Sequence, residues 1–446
     1  MNKSEINYIN LALIHVGVAL TVFYIPFLSK IYALLIVVFG VAYIINKKNK
    51  NNEVLYVSAY LVGFEVFLRM TGGNLNNEYV KTVVSMLMLI GFVFSGFSKS
   101  SIVYWVYFLF LLPAVLITMS NQDMSLEIKK AVVFNISGPV CLGLCALYCY
   151  KRQVTLSQLQ NILVFFGLPI ITILVYLILY NPSVKDVITG TQSNFATSGG
   201  FGPNQVSTVL GLGMFVFFCQ LVFISKSKMM MAINGFLFVL TSYRAIVTFS
   251  RGGVITGVVM IVFLLLATYL FSNSSGKRKL KWIVVISGAL AFGIWSYSVA
   301  QTSGLITKRY ANQDAKGRVK EDRLGGRELV MGTELELFKK NPIMGVGIGL
   351  GKVFREQQIG QEVASHNEIT RLLAEHGMFG IFILFILFLT PVIVFLNSYQ
   401  NIYFFSFYVF WLLTINHAAM RIAAPAFVYA LTLLNVRINP VERVNK

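Results

Sequence analysis

The chain has 446 residues, 56% of them hydrophobic and 12% charged, with a formal net charge of +19. A soluble domain carries about 25% charged residues, so the composition excludes an ordinary soluble fold and predicts an all-α, polytopic membrane bundle of about 12–14 transmembrane helices. In a soluble protein this basic balance would suggest nucleic acid; here the basic residues fall mostly in short loops between apolar runs, where they report topology and suit anionic lipid, and no nucleic-acid partner is expected.

Runs long enough to cross the hydrocarbon core lie near 8–28, 31–46, 54–71, 79–97, 101–119, 129–150, 157–180, 205–225, 229–249, 252–271, 281–299, 378–397, 401–418 and 421–436. The second and the last are short enough to be half-spans. The chain divides into a transmembrane bundle over 1–299 with about 11 spans, a large external loop over 300–377 holding short helices, and the final spans and cytoplasmic tail over 378–446. Lys47, Lys48, Lys50, Lys99, Lys151, Arg152, Lys226 and Lys228 fall in alternate loops, which places both termini in the cytoplasm. The segments 181–204, 250–253 and 300–377 then lie outside. The first apolar run leads directly into a second, so no cleavable signal peptide is expected. Cys141, Cys145 and Cys149 share one helix face and, with Cys219, read as small packing residues rather than disulfide partners.

Polar residues concentrate in the external loop, around Ser365-His366-Asn367-Glu368. Ser365 and Glu368 have capping-box spacing, which predicts a helix start with His366 as its first residue. The positive end of a helix disfavours imidazolium, and a histidine kept neutral suits a general base. Asn367 adds an amide able to orient a hydroxyl. The alternative is a surface histidine without a role. Arg244 and Arg251 are seven residues apart; on a continuous helix they share a face about 10 Å apart along the axis, a spacing that suits a diphosphate clamp, with the bare backbone of Gly252 and Gly253 admitting an anion. The alternative is a pair of snorkelling arginines.

Arg327 contacts phosphate or sugar in one reading and is an ordinary loop arginine in the other. Arg371 either binds an anion or pairs with Glu368 or Glu375. Asn204 either contacts substrate or caps a helix. Glu65 and Arg69 are expected to pair within the third span. An amphipathic helix over 328–338 ends at Asn341-Pro342. Gly345, Gly347, Gly349 and Gly351 lack the lysine and strand context of a P-loop and read as a flexible turn close to a lipid or sugar. His15, His366, His376 and His417 are scattered, so no metal and no other cofactor is expected.

In their order around one external loop, Ser250-Arg251-Gly252-Gly253, Gly326-Arg327, Asn341-Pro342-Ile343-Met344-Gly345-Val346-Gly347, Ser365-His366-Asn367-Glu368 and Glu375-His376-Gly377-Met378-Phe379-Gly380 resemble the O-antigen ligase/O-antigen polymerase superfamily. The resemblance implies a polyprenyl-lipid-dependent glycosyltransferase of the bacterial inner membrane whose active site faces the periplasm. Such an enzyme moves a glycan from undecaprenyl diphosphate to an acceptor hydroxyl without a nucleotide sugar and, in the ligases, without a metal. It implies His366 as the base for the acceptor and Arg251 as a ligand of the donor diphosphate. Arg244 matches less directly, and Arg327 holds the family's Gly-Arg position. The implied partners are the undecaprenyl-diphosphate-linked glycan donor, a glycan–lipid acceptor, membrane lipids and a chain-length regulator protein. A polymerase is the favoured form; a ligase acting on the lipid A core is the alternative. A lipid-linked-oligosaccharide flippase is a reading of another class, opposed by the lack of repeat symmetry and by polar residues gathered in one loop.

Overall fold

The computed structural model describes residues 3–121, 125–320, 327–354 and 365–438. Gly325 and Gly326 lie outside these residues, as does the end of the C-terminal tail. The fold is an all-α membrane bundle: among the described residues ten helices are long and apolar enough to cross a membrane, and two shorter apolar helices accompany them. In chain order the first eleven helices are α1 Lys3–Tyr24, α2 Leu28–Lys47, α3 Glu53–Met70, α4 Tyr79–Ser95, α5 Ile102–Asn121, α6 Leu126–Cys149, α7 Leu156–Tyr180, α8 Pro203–Cys219, α9 Lys228–Ile246, α10 Arg251–Phe271 and α11 Ser274–Gln301. Then come α12 Leu305–Tyr310, α13 Arg327–Lys340, α14 Glu368–His376, α15 Met378–Leu396, α16 Phe404–His417 and α17 Ala424–Leu431.

The predicted spans near 8–299 each coincide with a helix, because their apolar runs leave the backbone no partners but its own. The run 421–436 does not form a full span. It holds the eight-residue α17, then a strand, Asn435–Arg437, paired in parallel with Gln153–Thr155. This small sheet, unforeseen in the sequence, ties the chain's last turn to the loop between α6 and α7.

Helix α3 is the centre of the bundle. Nearly every side chain from Glu53 to Leu68 is buried, and α3 packs along α7 and against α4. The predicted pair forms inside it: Arg69 Nη2 lies 2.8 Å from Glu65 Oε1, with Glu65 fully buried. One helix crossing is set by glycine. Gly253 and Gly257 of α10 meet the backbone of Ser207 and Gly211 of α8 so closely that a Cβ would overlap it, the close approach that small residues allow in membrane bundles. All four cysteines are buried and free, as expected of packing residues.

The helices α12, α13 and α14 form the polar layer at one end of the bundle. Helix α13 begins at Arg327, and Asn341 follows its last residue, in line with the amphipathic helix expected there.

Candidate active site

Helix α14 starts two residues later than the capping-box reading predicts. Asn367 is the N-cap, and its side-chain oxygen accepts from the N–H groups of Ile369 and Thr370. Ser365 instead accepts from Asn367 N at 3.2 Å and donates to Asn367 O and to Glu334. Glu368 turns to Arg371 rather than back to the chain start. His366 therefore precedes the helix and owes nothing to its dipole.

The cause of a neutral His366 is different. Burial, then the cations Arg421 and Arg327, then His417 push it down to about 3, against a small opposing effect from the His417 backbone. Its Nδ1 is buried with no hydrogen-bond partner. The ring lines a cavity of ≈ 60 Å³ with Arg327, Val330, Met331, Asn367 and Asn416. Asn367 uses its amide to cap and to donate to Asn416 Oδ1 at 3.1 Å, so its first task is to hold the loop.

A chain of contacts from the membrane core fixes this loop. Glu65 Oε2 accepts from Ala423 N at 2.7 Å, Arg69 Nη2 donates to Arg421 O at 3.2 Å, and Lys81 Nζ donates to Met420 O at 3.3 Å. These buried charges pin the turn between α16 and α17. From that turn Arg421 Nη2 donates to Ser365 O at 2.8 Å, next to His366.

The basic residues come from three places in the chain. Arg251 opens α10, as predicted, and Ser250 Oγ donates to Asn204 Oδ1 at 2.8 Å. Asn204 is neither a helix cap nor bare; Gly202 holds the cap position of α8. Arg251 Nη1 donates to Arg309 O at 3.4 Å, while Arg309 donates to Phe249 O at 2.9 Å and to Ser193 Oγ at 3.3 Å. Arg309 is held below the ordinary arginine range by burial and by the charges of Arg251 and Arg327; Arg327 is lowered by burial and by Arg251. Arg327 thus stands within electrostatic reach of both Arg251 and His366. His417 closes the gap: its ring lies against Gly252, beside Arg251, and its backbone neighbours His366. Gly252 is bare to admit His417 rather than an anion.

Arg244 does not share a helix face with Arg251. Helix α9 ends at Ile246, Phe249 takes the left-handed conformation (φ 57°), and α10 starts afresh at Arg251. The buried Arg244 donates to Asn181 O at 3.2 and 3.3 Å and stacks near Tyr243. Arg371 follows the pairing reading: it is buried between Glu368 and Glu375 on the surface of its own helix.

The glycine-rich segment is a packed support rather than a flexible turn. The N–H groups of residues 345–349 donate to Asn341 O, Ala374 O, Glu375 O, Ala114 O and Glu375 Oε1. Gly345, Gly347 and Gly349 have φ of 72°, 97° and 79°, a region that favours glycine. They press against the backbone of α14, against α5 and against α6. A cavity of ≈ 970 Å³, lined by Ser365, opens between α6, this segment and the turn at Arg421, with Asn76, Asn135, Lys129 and Lys130 in its wall. No group of three or more His, Cys, Asp or Glu side chains among the described residues offers a metal site.

Sequence reasoning singled out His366, Arg251 and Arg327 but missed Arg309, Arg421 and a role for His417. Arg309 was visible only as one of twelve basic residues in a mixed-charge loop. Residues 236–385 match a family model described as O-antigen ligase. A search of the curated proteins gives no match. The matched stretch holds Arg251, Arg309, Arg327 and His366, whereas His417 and Arg421 lie beyond it. This match over the site-bearing region supports the O-antigen ligase/polymerase superfamily, a group of membrane glycan-transferring enzymes.

Proposed function

We propose that this protein polymerises undecaprenyl-diphosphate-linked oligosaccharide repeats on the periplasmic face of the bacterial inner membrane. The observation that carries the reading is that a neutral histidine with an unpartnered buried nitrogen and a set of arginines, from segments more than 100 residues apart, converge at one end of the bundle. The arginines suit a diphosphate leaving group, and the histidine suits an acceptor hydroxyl.

The donor diphosphate docks against Arg251 and Arg327. The acceptor hydroxyl attacks the anomeric carbon and gives its proton to His366. The bond from that carbon to the diphosphate oxygen breaks, and the oxygen leaves with the electron pair, stabilised by the guanidinium groups. In-line displacement inverts the anomeric configuration. Docking of the anion also offsets the cations that depress His366, so its basicity rises when the donor is in place. Arg244, held by Asn181, buttresses the start of the α9–α10 turn, and Asn204 holds Ser250 beside Arg251. The ≈ 970 Å³ cavity lined by Ser365, with Asn76, Asn135, Lys129 and Lys130 as polar groups in a largely apolar wall, suits the glycan of the acceptor. A chain-length regulator protein is a partner in this reading.

One observation favours a second form: the matching family model is described as O-antigen ligase. In that form the acceptor is the lipid A core. Replacing His366 with Ala in the native host and running surface polysaccharide on a gel distinguishes the two. Single-repeat glycan on the surface lipid is the expected result for a polymerase. Lipid-linked polymer with bare core would mark a ligase, and an unchanged ladder would remove His366 from the reaction.

A further inference from the structure

The end of α16 holds His366 at three points. On one side Arg421, just past that helix, donates to the Ser365 carbonyl at 2.8 Å. On the other, the Asn367 amide donates to Asn416 Oδ1 at 3.1 Å. Between them the His366 ring is hydrogen-bonded to the backbone of His417. That bond favours the protonated ring, so its acceptor is the His417 carbonyl. His417 is the last residue of α16, and the last carbonyls of a helix have no partner within it. The Nδ1 of His366 is buried with no hydrogen-bond partner, which leaves Nε2 as the nitrogen that donates to the carbonyl. The hydrogen bond made by one ring nitrogen decides the state of the other.

The second observation is that His417 is itself locked. Its Nδ1 lies 2.8 Å from Leu413 O, and a carbonyl only accepts, so Nδ1 carries the proton. Its Nε2 lies 3.2 Å from Thr208 Oγ1 of α8. Its ring packs on Gly252 of α10 so tightly that a Cβ there would overlap it. Beside His366, the ≈ 60 Å³ cavity shared with Arg327 and Asn416 exceeds the roughly 10–15 Å³ that one water needs, so it has room for a hydroxyl group.

We infer that His417 is the positioning residue of His366: its carbonyl holds the Nε2–H, so that Nδ1 keeps the free lone pair that takes the acceptor's proton, and its ring ties that carbonyl to the start of α10. The inference rests on the reading of His366 as the base. When the acceptor hydroxyl gives its proton to Nδ1, the imidazolium keeps its Nε2–H on a carbonyl at the negative end of α16. A helix-terminal carbonyl thus takes the part that a carboxylate plays for many catalytic histidines.

The test is magic-angle-spinning NMR of the full-length protein, carrying isotope-labelled histidine, in liposomes at neutral pH. The chain has four histidines, and the signal lost in His366→Gln identifies the one in question. His15 and His417 donate from Nδ1 to helix carbonyls and are expected as Nδ1–H tautomers. His366 is expected as the opposite tautomer, with Nε2 protonated and Nδ1 bare; a protonated Nδ1 would overturn the inference. His417→Leu is expected to mix the two tautomers at His366 and to lower kcat about 10-fold with KM unchanged, because the wrong tautomer presents no base. His417→Asn is expected to recover most of both, since an amide there reaches the carbonyl one turn back as Asn416 reaches Leu412 O at 2.7 Å. A single tautomer with wild-type turnover in His417→Leu would overturn the positioning role. Should that variant fail to fold, the wild-type spectrum still decides which nitrogen is bare. Full turnover in His366→Gln would instead overturn the reading of His366 as the base, whichever tautomer the wild type shows.

Discussion

At the scale of single residues, the site is governed by what surrounds His366. Burial favours the neutral ring, and Arg421 is the largest of the neighbouring charges that reinforce it. Removing a cation stabilises imidazolium, so Arg421→Gln should raise the pKa of His366 from about 3 toward its ordinary value. The acid limb of the kcat/KM profile should move to higher pH in that variant, while glutamine keeps a donor for Ser365 O. An anionic donor acts in the same direction, so in the wild type the acid limb of kcat should lie above that of kcat/KM. Coincident limbs would argue against coupling between the two substrates' sites. Arg371 has a different part. It lies buried between two carboxylates, and Arg371→Ala leaves both uncompensated. A loss of about 3–5 kcal/mol is expected where a buried pair is broken, read as a fall in the thermal midpoint of the detergent-solubilised protein.

At the scale of elements, the spans were legible because length and hydropathy alone decide whether a helix crosses a bilayer. The starts of the short polar helices were less so. Ser365 and Asn367 are both competent caps, and sequence spacing favoured the first. The structure uses the second, since Glu334 engages Ser365 from a helix that spacing arguments do not see. Similarly, the α9–α10 turn resembles a continuous helix in composition, but Phe249 in a left-handed conformation breaks it. The glycines of α10 looked like an anion cradle and are helix contacts. Gly253→Ala should therefore separate α10 from α8 at a cost of about 1–3 kcal/mol, lowering the unfolding temperature. An unchanged midpoint would mean that the crossing tolerates a methyl group.

At the scale of the whole molecule, the alternation of basic loops predicts sides, and the fold gathers the polar layer at one end of the bundle. Burial of all four native cysteines allows a direct check of orientation. Ser303→Cys, exposed in the loop after α11, should react with a membrane-impermeant maleimide in cells whose inner membrane is intact, and Lys50→Cys, exposed at the opposite end, only after that membrane is opened. The reverse pattern would place the site in the cytoplasm. What sequence did not reveal was the meeting of Arg251, Arg309, Arg327, His366, His417 and Arg421, because the contacts that join them span tens to hundreds of positions and depend on buried charges in α3 and α4. The central claim is that these residues act on one lipid-linked donor. Its most direct test is glycan transfer from undecaprenyl-diphosphate-linked oligosaccharide by the purified protein in liposomes. His366→Ala and Arg251→Gln should each lower turnover by about 100-fold or more, the range for loss of a general base or of a charge-stabilising group, with the fold retained. Wild-type turnover in either variant would contradict the account.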